Sequence, residues 1–255
     1  MQHFYQEDHR TSWHPFAIET VWRSYARCDG EHRVLPDGRC DIILRFASDG
    51  VKPVGDIALR IAGPSTRFHI VPLTAGTAFI GVRFRPGMAS GILGIDPGAI
   101  LNRVLTDDEA LAVHPEFAAL CQPADSIDAL ARRLALFVAE RFSASQIDPL
   151  TAAMINMLHV TGGRIPIAQL ARVHQLSVRT ARRRITQATG LGPKQLAAII
   201  RFHRALRLRR AGVGCAHASV EAGYADQAHM TRNFRQMGGI SPANMPDLVL
   251  AGFDM

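Results

Sequence analysis

The chain has 255 residues, 47% of them hydrophobic, which fits one large domain or two of ordinary size around at least one buried core. No run of 18 uncharged apolar residues occurs, which excludes a helical membrane span. Residues Met1 to Asp8 lack the basic start and apolar stretch of a secretory signal.

Cys28, Cys40, Cys121 and Cys215 are widely scattered with no C-x-x-C pair, so neither a disulfide framework nor a zinc knuckle is expected, and a reducing cytoplasm fits. The net charge of +7 conceals an asymmetry. Residues 1–150 hold 15 Lys and Arg against 18 Asp and Glu, whereas residues 151–255 hold 14 against 4. A phosphate backbone attracts the second half and not the first.

Residues 1–120 read as β-rich. Leu35-Pro36-Asp37-Gly38 is a turn signal, since Pro presets φ and Gly permits the reversal. A short buried strand follows at Ile42 to Phe46, a second at Ile57 to Ala62, and a third at Phe79 to Arg85. In the third, Val82 and Phe84 share one face while Arg83 and Arg85 share the other. Short helices are expected at Met88 to Leu93 and Pro97 to Asn102. From Ser126 to Phe142, Ile127, Leu130, Leu134, Phe137 and Val138 recur at helical spacing, with Ser126 as N-cap. This helix either connects domains, mediates dimerisation, or packs on its own N-terminal domain.

After Pro149 the pattern is helical almost throughout. Thr151 to Val160 is followed by a helix that Pro166 starts. Pro193 opens a long helix to about Arg210. Within Ile167 to Gln187, Ile167, Leu170 and Ala171 form an apolar face, His174-Gln175-Leu176 a turn, and Ser177 an N-cap. Ala181, Ile185 and Ala188 then point to a core, and Arg179, Arg182, Arg183 and Thr186 point away from it. The plan recurs at Ala216 to Gly238. There, Gly223-Tyr224 is the turn and Asp226 the cap. Met230, Phe234 and Met237 are core, with Gln227, Ala228, Thr231, Arg232 and Arg235 outside. Ser241-Pro242 is expected to open a last helix. The two caps lie 49 positions apart, and paired units on a rigid spacer can enter successive major grooves about 34 Å apart.

Residues 148–247 resemble the DNA-binding domain of the AraC/XylS family. The first unit matches in Leu170-Ala171, Ser177-Val178-Arg179-Thr180, Arg183-Arg184, Gly190 and Pro193-Lys194. The second matches in Ala222-Gly223-Tyr224, Asp226-Gln227-Ala228-His229-Met230, Arg232, Phe234-Arg235 and Gly239-Ile240-Ser241-Pro242. Ala181 stands where the family has Leu and Ile185 where it has Phe, which implies a looser first core. Gly214-Cys215-Ala216-His217 also departs from the family's apolar pattern. The resemblance implies base contacts from Arg179, Thr180, Arg182 and Arg183 in the first unit and from Gln227, Ala228, His229, Thr231 and Arg232 in the second. Lys194, Arg201 and Arg204 are assigned to phosphate or to nothing. The first 120 residues resemble, through Leu35 to Ile42, Ala62 to Thr66 and Gly81 to Gly87, an N-terminal cupin-like domain attached to some family members. That resemblance implies signal sensing or dimerisation.

The expectation is therefore an α+β two-domain chain. A β-rich cupin-like regulatory domain spans residues 1–120, a linker helix 121–147, and an all-α domain with two helix-turn-helix units 148–255. Its function would be sequence-specific transcription regulation in a bacterial cytoplasm. Partners would be promoter DNA, with RNA polymerase, a small-molecule effector and a second copy of the chain as candidates.

Trp13, Trp22, Arg33 and Arg83 are candidates to line an effector pocket. The 11 histidines show no metal-ligand spacing, His32 and His69 read as structural, and no cofactor or metal is expected. The turn accounts for Asp37 more simply than a carboxylate pair with Asp41. The alternative function is a DNA-targeted alkyl-transfer or repair enzyme, which would need a reactive thiol at Cys40 or Cys121.

Overall fold

Strict side-chain alternation gives the N-terminal strands two usable faces, and the fold covers both. The computed structural model describes residues 3–8, 17–143 and 148–245. Strands β1 (His3–Asp8), β2 (Ile18–Ala26), β4 (Asp41–Ser48), β5 (Pro53–Ala62), β7 (Thr77–Phe84) and β8 (Val104–Thr106) form one antiparallel sheet in the order β1-β2-β7-β4-β5-β8. The remaining two, β3 (Gly30–Val34) and β6 (His69–Leu73), pair only with each other as a ribbon. Pro72 sits in β6, where no further strand needs its missing N–H.

On one face of the sheet, Ile42, Leu44, Phe46, Leu59, Ile61, Ile80, Val82 and Phe84 are buried in a single core. Over them lie α1 (Ala89–Leu93), the 3-10 turns Pro97–Ile100 and Pro115–Cys121, α2 (Asp108–Leu111) and α3 (Ile127–Ser143). Leu130, Ala131, Leu134, Ala135 and Val138 of α3 belong to that core, so of the three roles open to this helix the structure shows packing on its own N-terminal sheet. Ser126 caps it, accepting from the Ala129 N–H at 3.1 Å. On the opposite face the alternation of β7 brings Phe79 and Arg83 under the β3–β6 ribbon. All eight residues of β7 are consequently buried, including Arg83 at 4% exposure.

The C-terminal half contains α4 (Pro149–Val160), α5 (Ile167–Val173), α6 (Val178–Thr189), α7 (Pro193–Arg210), α8 (Cys215–Glu221) and α9 (Gln227–Asn233). A π-turn, Phe234–Gly238, continues α9. At about 27 Å, α7 is the spine. Leu196, Ile199 and Ile200 near its start join the core of the first helical unit, and Phe202, Ala205 and Leu206 join that of the second. None of the described helices is long and apolar enough to cross a membrane.

The expected last helix at Ser241-Pro242 is not formed within the described residues. Ser241 and Asn244 instead close a tight turn through an isolated bridge, and the Pro242 carbonyl accepts from Arg209 Nε at 2.8 Å.

Candidate nucleic-acid interface

The first unit is α5, a three-residue turn and α6. Gln175 in the turn has φ +55°, a left-handed conformation uncommon for a residue other than glycine. Ser177 Oγ accepts from the Thr180 N–H at 3.1 Å, satisfying one of the orphan donors of α6. The helix ends at Gly190, φ +70°, in the left-handed cap that favours glycine. Leu170, Ala171, Ala181 and Ile185 are fully or almost fully buried with Met154, Ile155 and Leu158 of α4. The two departures at Ala181 and Ile185 thus remain core positions.

Arg179, Arg182, Arg183 and Thr186 are exposed. Thr180 is half-buried, and its hydroxyl lies 2.8 Å from Ser177 Oγ, so it serves the cap. Arg184, on the flank, pairs with Asp148. Arg183 and Gln187 face a cleft of about 670 Å³, whose other side is the Ser90, Gly91 and Asp96 region of the N-terminal half.

The second unit repeats the plan. Asp226 Oδ1 accepts from the His229 N–H at 2.6 Å and caps α9. Tyr224 is buried and meets His229 edge-to-face at 5.2 Å, which holds the His229 ring half-buried against the turn. Met230 and Phe234 are fully buried, and Phe234 packs edge-on to Phe202 at 5.0 Å. Gln227, Ala228 and Arg232 are exposed, while Thr231 is half-buried with its hydroxyl donating to the Gln227 carbonyl at 2.9 Å. Each unit therefore presents a capped, core-anchored helix whose outer face carries groups able to meet base edges. Of the expected phosphate contacts, Lys194 is exposed, Arg201 donates to the Gly163 carbonyl at 2.7 Å, and Arg204 lies against Gly162.

The N-terminal half holds a second feature. A cavity of about 310 Å³ lies between the large sheet and the ribbon, lined among others by Tyr5, Trp22, Ile43, Arg60, Phe79 and Arg83. Tyr5 and Trp22 stack with centroids 5.8 Å apart. Of the pocket candidates, Trp22 and Arg83 are in this wall. Trp13 lies outside the described residues, and Arg33 faces the helical half instead. His32 and His69, read as structural, line the cavity too. Burial pulls the His69 imidazole below its usual range.

Asp37 and Asp41 do converge, on Arg83. Its Nε lies 3.3 Å from Asp37 Oδ2, its Nη2 3.2 Å from Asp41 Oδ2, and its Nη1 3.5 Å from Glu7 Oε1. Burial works against the charge on Arg83, but Asp41 and Asp37 outweigh it and hold the guanidinium well above its ordinary range. Burial also pushes Asp41 up to about 6, against the pull of Arg83. Sequence reading missed this cluster because its members are brought together by strand pairing and not by spacing. The one available signal was an arginine inside an otherwise apolar strand.

The thiols that an alkyl-transfer enzyme would need are of the opposite kind. Burial raises Cys40 well above the ordinary thiol range and raises Cys121 as well, whereas a nucleophile needs a lowered value. Among the described residues, no group of three or more His, Cys, Asp or Glu converges as a metal site.

Fold and paired units together define a two-domain protein whose C-terminal half is a double helix-turn-helix. Residues 170–246 match the family described as a helix-turn-helix domain, and residues 16–106 match a domain of unknown function, DUF6597. The chain thus carries a helix-turn-helix domain behind a separate N-terminal domain. No curated protein matches the sequence. Among solved structures, it is similar to ToxT from Vibrio cholerae at 13% identity, over 94% of this chain and 96% of that one, with a TM-score of 0.43. It is also similar to ToxT from Vibrio cholerae O395 bound to (E)-4-(8-methylnaphthalen-1-yl)but-3-enoic acid, at 14% identity over 94% and 97%, with a TM-score of 0.45.

Proposed function

We propose that the chain regulates transcription by reading two adjacent major-groove segments of promoter DNA, one with α6 and one with α9, under control of a small molecule received in the N-terminal cavity. The observation that carries this reading is the duplication itself. Two capped recognition helices stand on one rigid spine, each with its inner face buried and its outer face exposed.

Base contacts are assigned to Arg179, Arg182 and Arg183 in the first unit and to Gln227, Ala228 and Arg232 in the second. The arginine fork suits guanine, and the glutamine amide suits adenine. Thr180, His229 and Thr231 take supporting places, because their polar groups or rings are engaged locally. In this reading residues 1–120, with the 121–147 helix packed on them, form the sensor, and residues 148–255 form the reader.

Cavity size and lining support a compact organic effector with an apolar body. Tyr5, Trp22 and Phe79 offer aromatic walls, and Arg60 a cationic group beside them. RNA polymerase and a second copy of the chain are the further partners this function expects.

The test is selection of genomic fragments by the purified full chain, followed by footprinting. Two protected segments on one face of the duplex, about one helical turn apart, are expected. Uniform protection of any DNA would overturn the reading and favour a structural nucleic-acid binder.

A further inference from the structure

The β3–β6 ribbon has two jobs in the fold, and they meet on the second reading unit. One side of the ribbon closes the N-terminal cavity with His32, Val34, His69, Val71 and Leu73. The other side is fastened to the end of the second recognition helix at three points. Arg33 Nη1 donates to the Gly238 carbonyl at 2.9 Å. The Phe68 N–H, one residue before β6, donates to the Met237 carbonyl at 2.6 Å. Leu35, one residue after β3, is buried in the core of the second unit with Phe202, Leu206, Tyr224 and Phe234. The Arg33 guanidinium also lies over the Phe68 ring, 4.5 Å from its centroid, which locks the first two points together.

These carbonyls belong to the π-turn that ends the helix begun by α9. Terminal carbonyls of a helix have no partner within it. Here the N-terminal domain supplies the donors, so the ribbon is in effect the C-terminal cap of the second recognition helix. Just beyond Leu35 the chain returns to the cavity, where Asp37 meets Arg83 in the opposite wall. The ribbon is thus held at one end by the cavity and at the other by the reader. The first unit meets the N-terminal half elsewhere, where the end of α6 packs on the Pro97–Ile100 turn and on α1 and Arg183 faces the open cleft, rather than through the ribbon.

We propose that the β3–β6 ribbon is the lever by which an occupant of the cavity sets the position of α9 relative to α6, with Arg33 as its positioning residue. An occupant that presses on Val71 or Leu73 displaces the ribbon, and the displacement reaches Met237 and Gly238 through Phe68 and Arg33 without passing through the first unit. The effector would then change how well the second half-site is read while leaving the first half-site unchanged. This rests on the DNA-reading function proposed above.

A test needs no known effector, because a substitution can occupy the cavity. Ile43→Trp fills part of it from the sheet side, and Val71→Phe, the second variant should the first fail to fold, fills it from the ribbon side. Each is measured in the full chain for affinity and footprint on a selected fragment, alone and combined with Arg33→Ala or Arg33→Lys. In the wild-type background a filled cavity is expected to shift affinity by about fivefold or more, with the footprint change confined to the second half-site. With Arg33→Ala the shift should fall below about twofold, and Arg33→Lys, which keeps a donor for the Gly238 carbonyl, should restore much of it.

Equal shifts in both backgrounds would overturn the lever. So would a footprint change at the first half-site, or no shift from a cavity-filled variant that melts as a folded protein. If the wild-type chain protects no discrete site, the DNA reading itself falls.

Discussion

His203 makes the junction between the two halves sensitive to acid, by an amount that can be worked out. It sits at the middle of α7, 2% exposed, and its Nε2–H donates to the Pro36 carbonyl at 2.6 Å. Burial pulls its imidazole down to about 3, with the Pro36 bond and Asp37 opposing and Arg39 and Arg207 adding to the effect. An ordinary histidine titrates near 6.5. The unfolded chain therefore begins to bind a proton below about pH 6.5, whereas the folded chain resists until about pH 3.

Stability is fully present above pH 6.5 and is lost as the pH falls through the window from 6.5 to 3. For one such group the loss between pH 7 and pH 5 is about 2 kcal/mol. His159, also pulled down to about 3 by burial, contributes a similar loss. Asp41 acts in the opposite sense. Its folded value of about 6 exceeds its ordinary one, so acidification from pH 7 to pH 5 returns about 1 kcal/mol.

Replacing His203 by Gln removes one titrating group while retaining an N–H donor for the Pro36 carbonyl. Urea unfolding of both proteins at pH 7 and pH 5 separates this contribution from the others, which are common to the two. The wild type should lose about 2 kcal/mol more than the variant over that interval. Equal losses would refute the claim that the His203 imidazole is held neutral at this junction.

Other expectations are simpler to state. Arg183→Ala and Arg232→Ala should each weaken binding to a selected fragment by about 1–3 kcal/mol at matched salt; unchanged titration curves would remove those residues from the base-reading set. Ser177→Ala and Asp226→Ala should each lower stability by about 1 kcal/mol through loss of a helix cap, visible as a lower thermal midpoint. Gly190→Ala should cost more than 1 kcal/mol. A Cβ there would lie 2.7 Å from the Pro97 carbonyl carbon, and φ is +70°; a midpoint equal to wild type would show that this contact gives way freely. Affinity should also fall steeply between about 50 and 200 mM salt, and a phosphate-contacting Lys194 replaced by Ala should lower the log–log slope by about one. An unchanged slope would mean that Lys194 touches nothing.

The helical half was largely legible from the sequence because its determinants are local. Ser177 and Asp226 cap helices through bonds to residues three positions away, and the apolar steps Ala181–Ile185 and Met230–Phe234 follow from the 3.6-residue period alone. Exposed faces follow by elimination from the buried ones, which is why Arg179, Arg182, Gln227 and Arg232 were found where expected. The turn at Ser241 was misread because the bond from Arg209 that pins Pro242 spans 33 positions.

In the N-terminal half, individual strands could be read by alternation, but their pairing could not. Arg83 gathers Asp37, Asp41 and Glu7 only once β1, β4 and β7 are adjacent, and the ribbon of β3 and β6 joins segments with unremarkable patterns. Composition and periodicity alone pointed to two like-built, capped helix-turn-helix units on a basic domain. Whether the N-terminal half stands apart from that reader or grips it was decided by tertiary structure, in which Leu35, Pro36 and Arg33 reach partners some 170 to 200 positions away. Contacts at that separation depend on how the whole chain packs, and no local pattern records them.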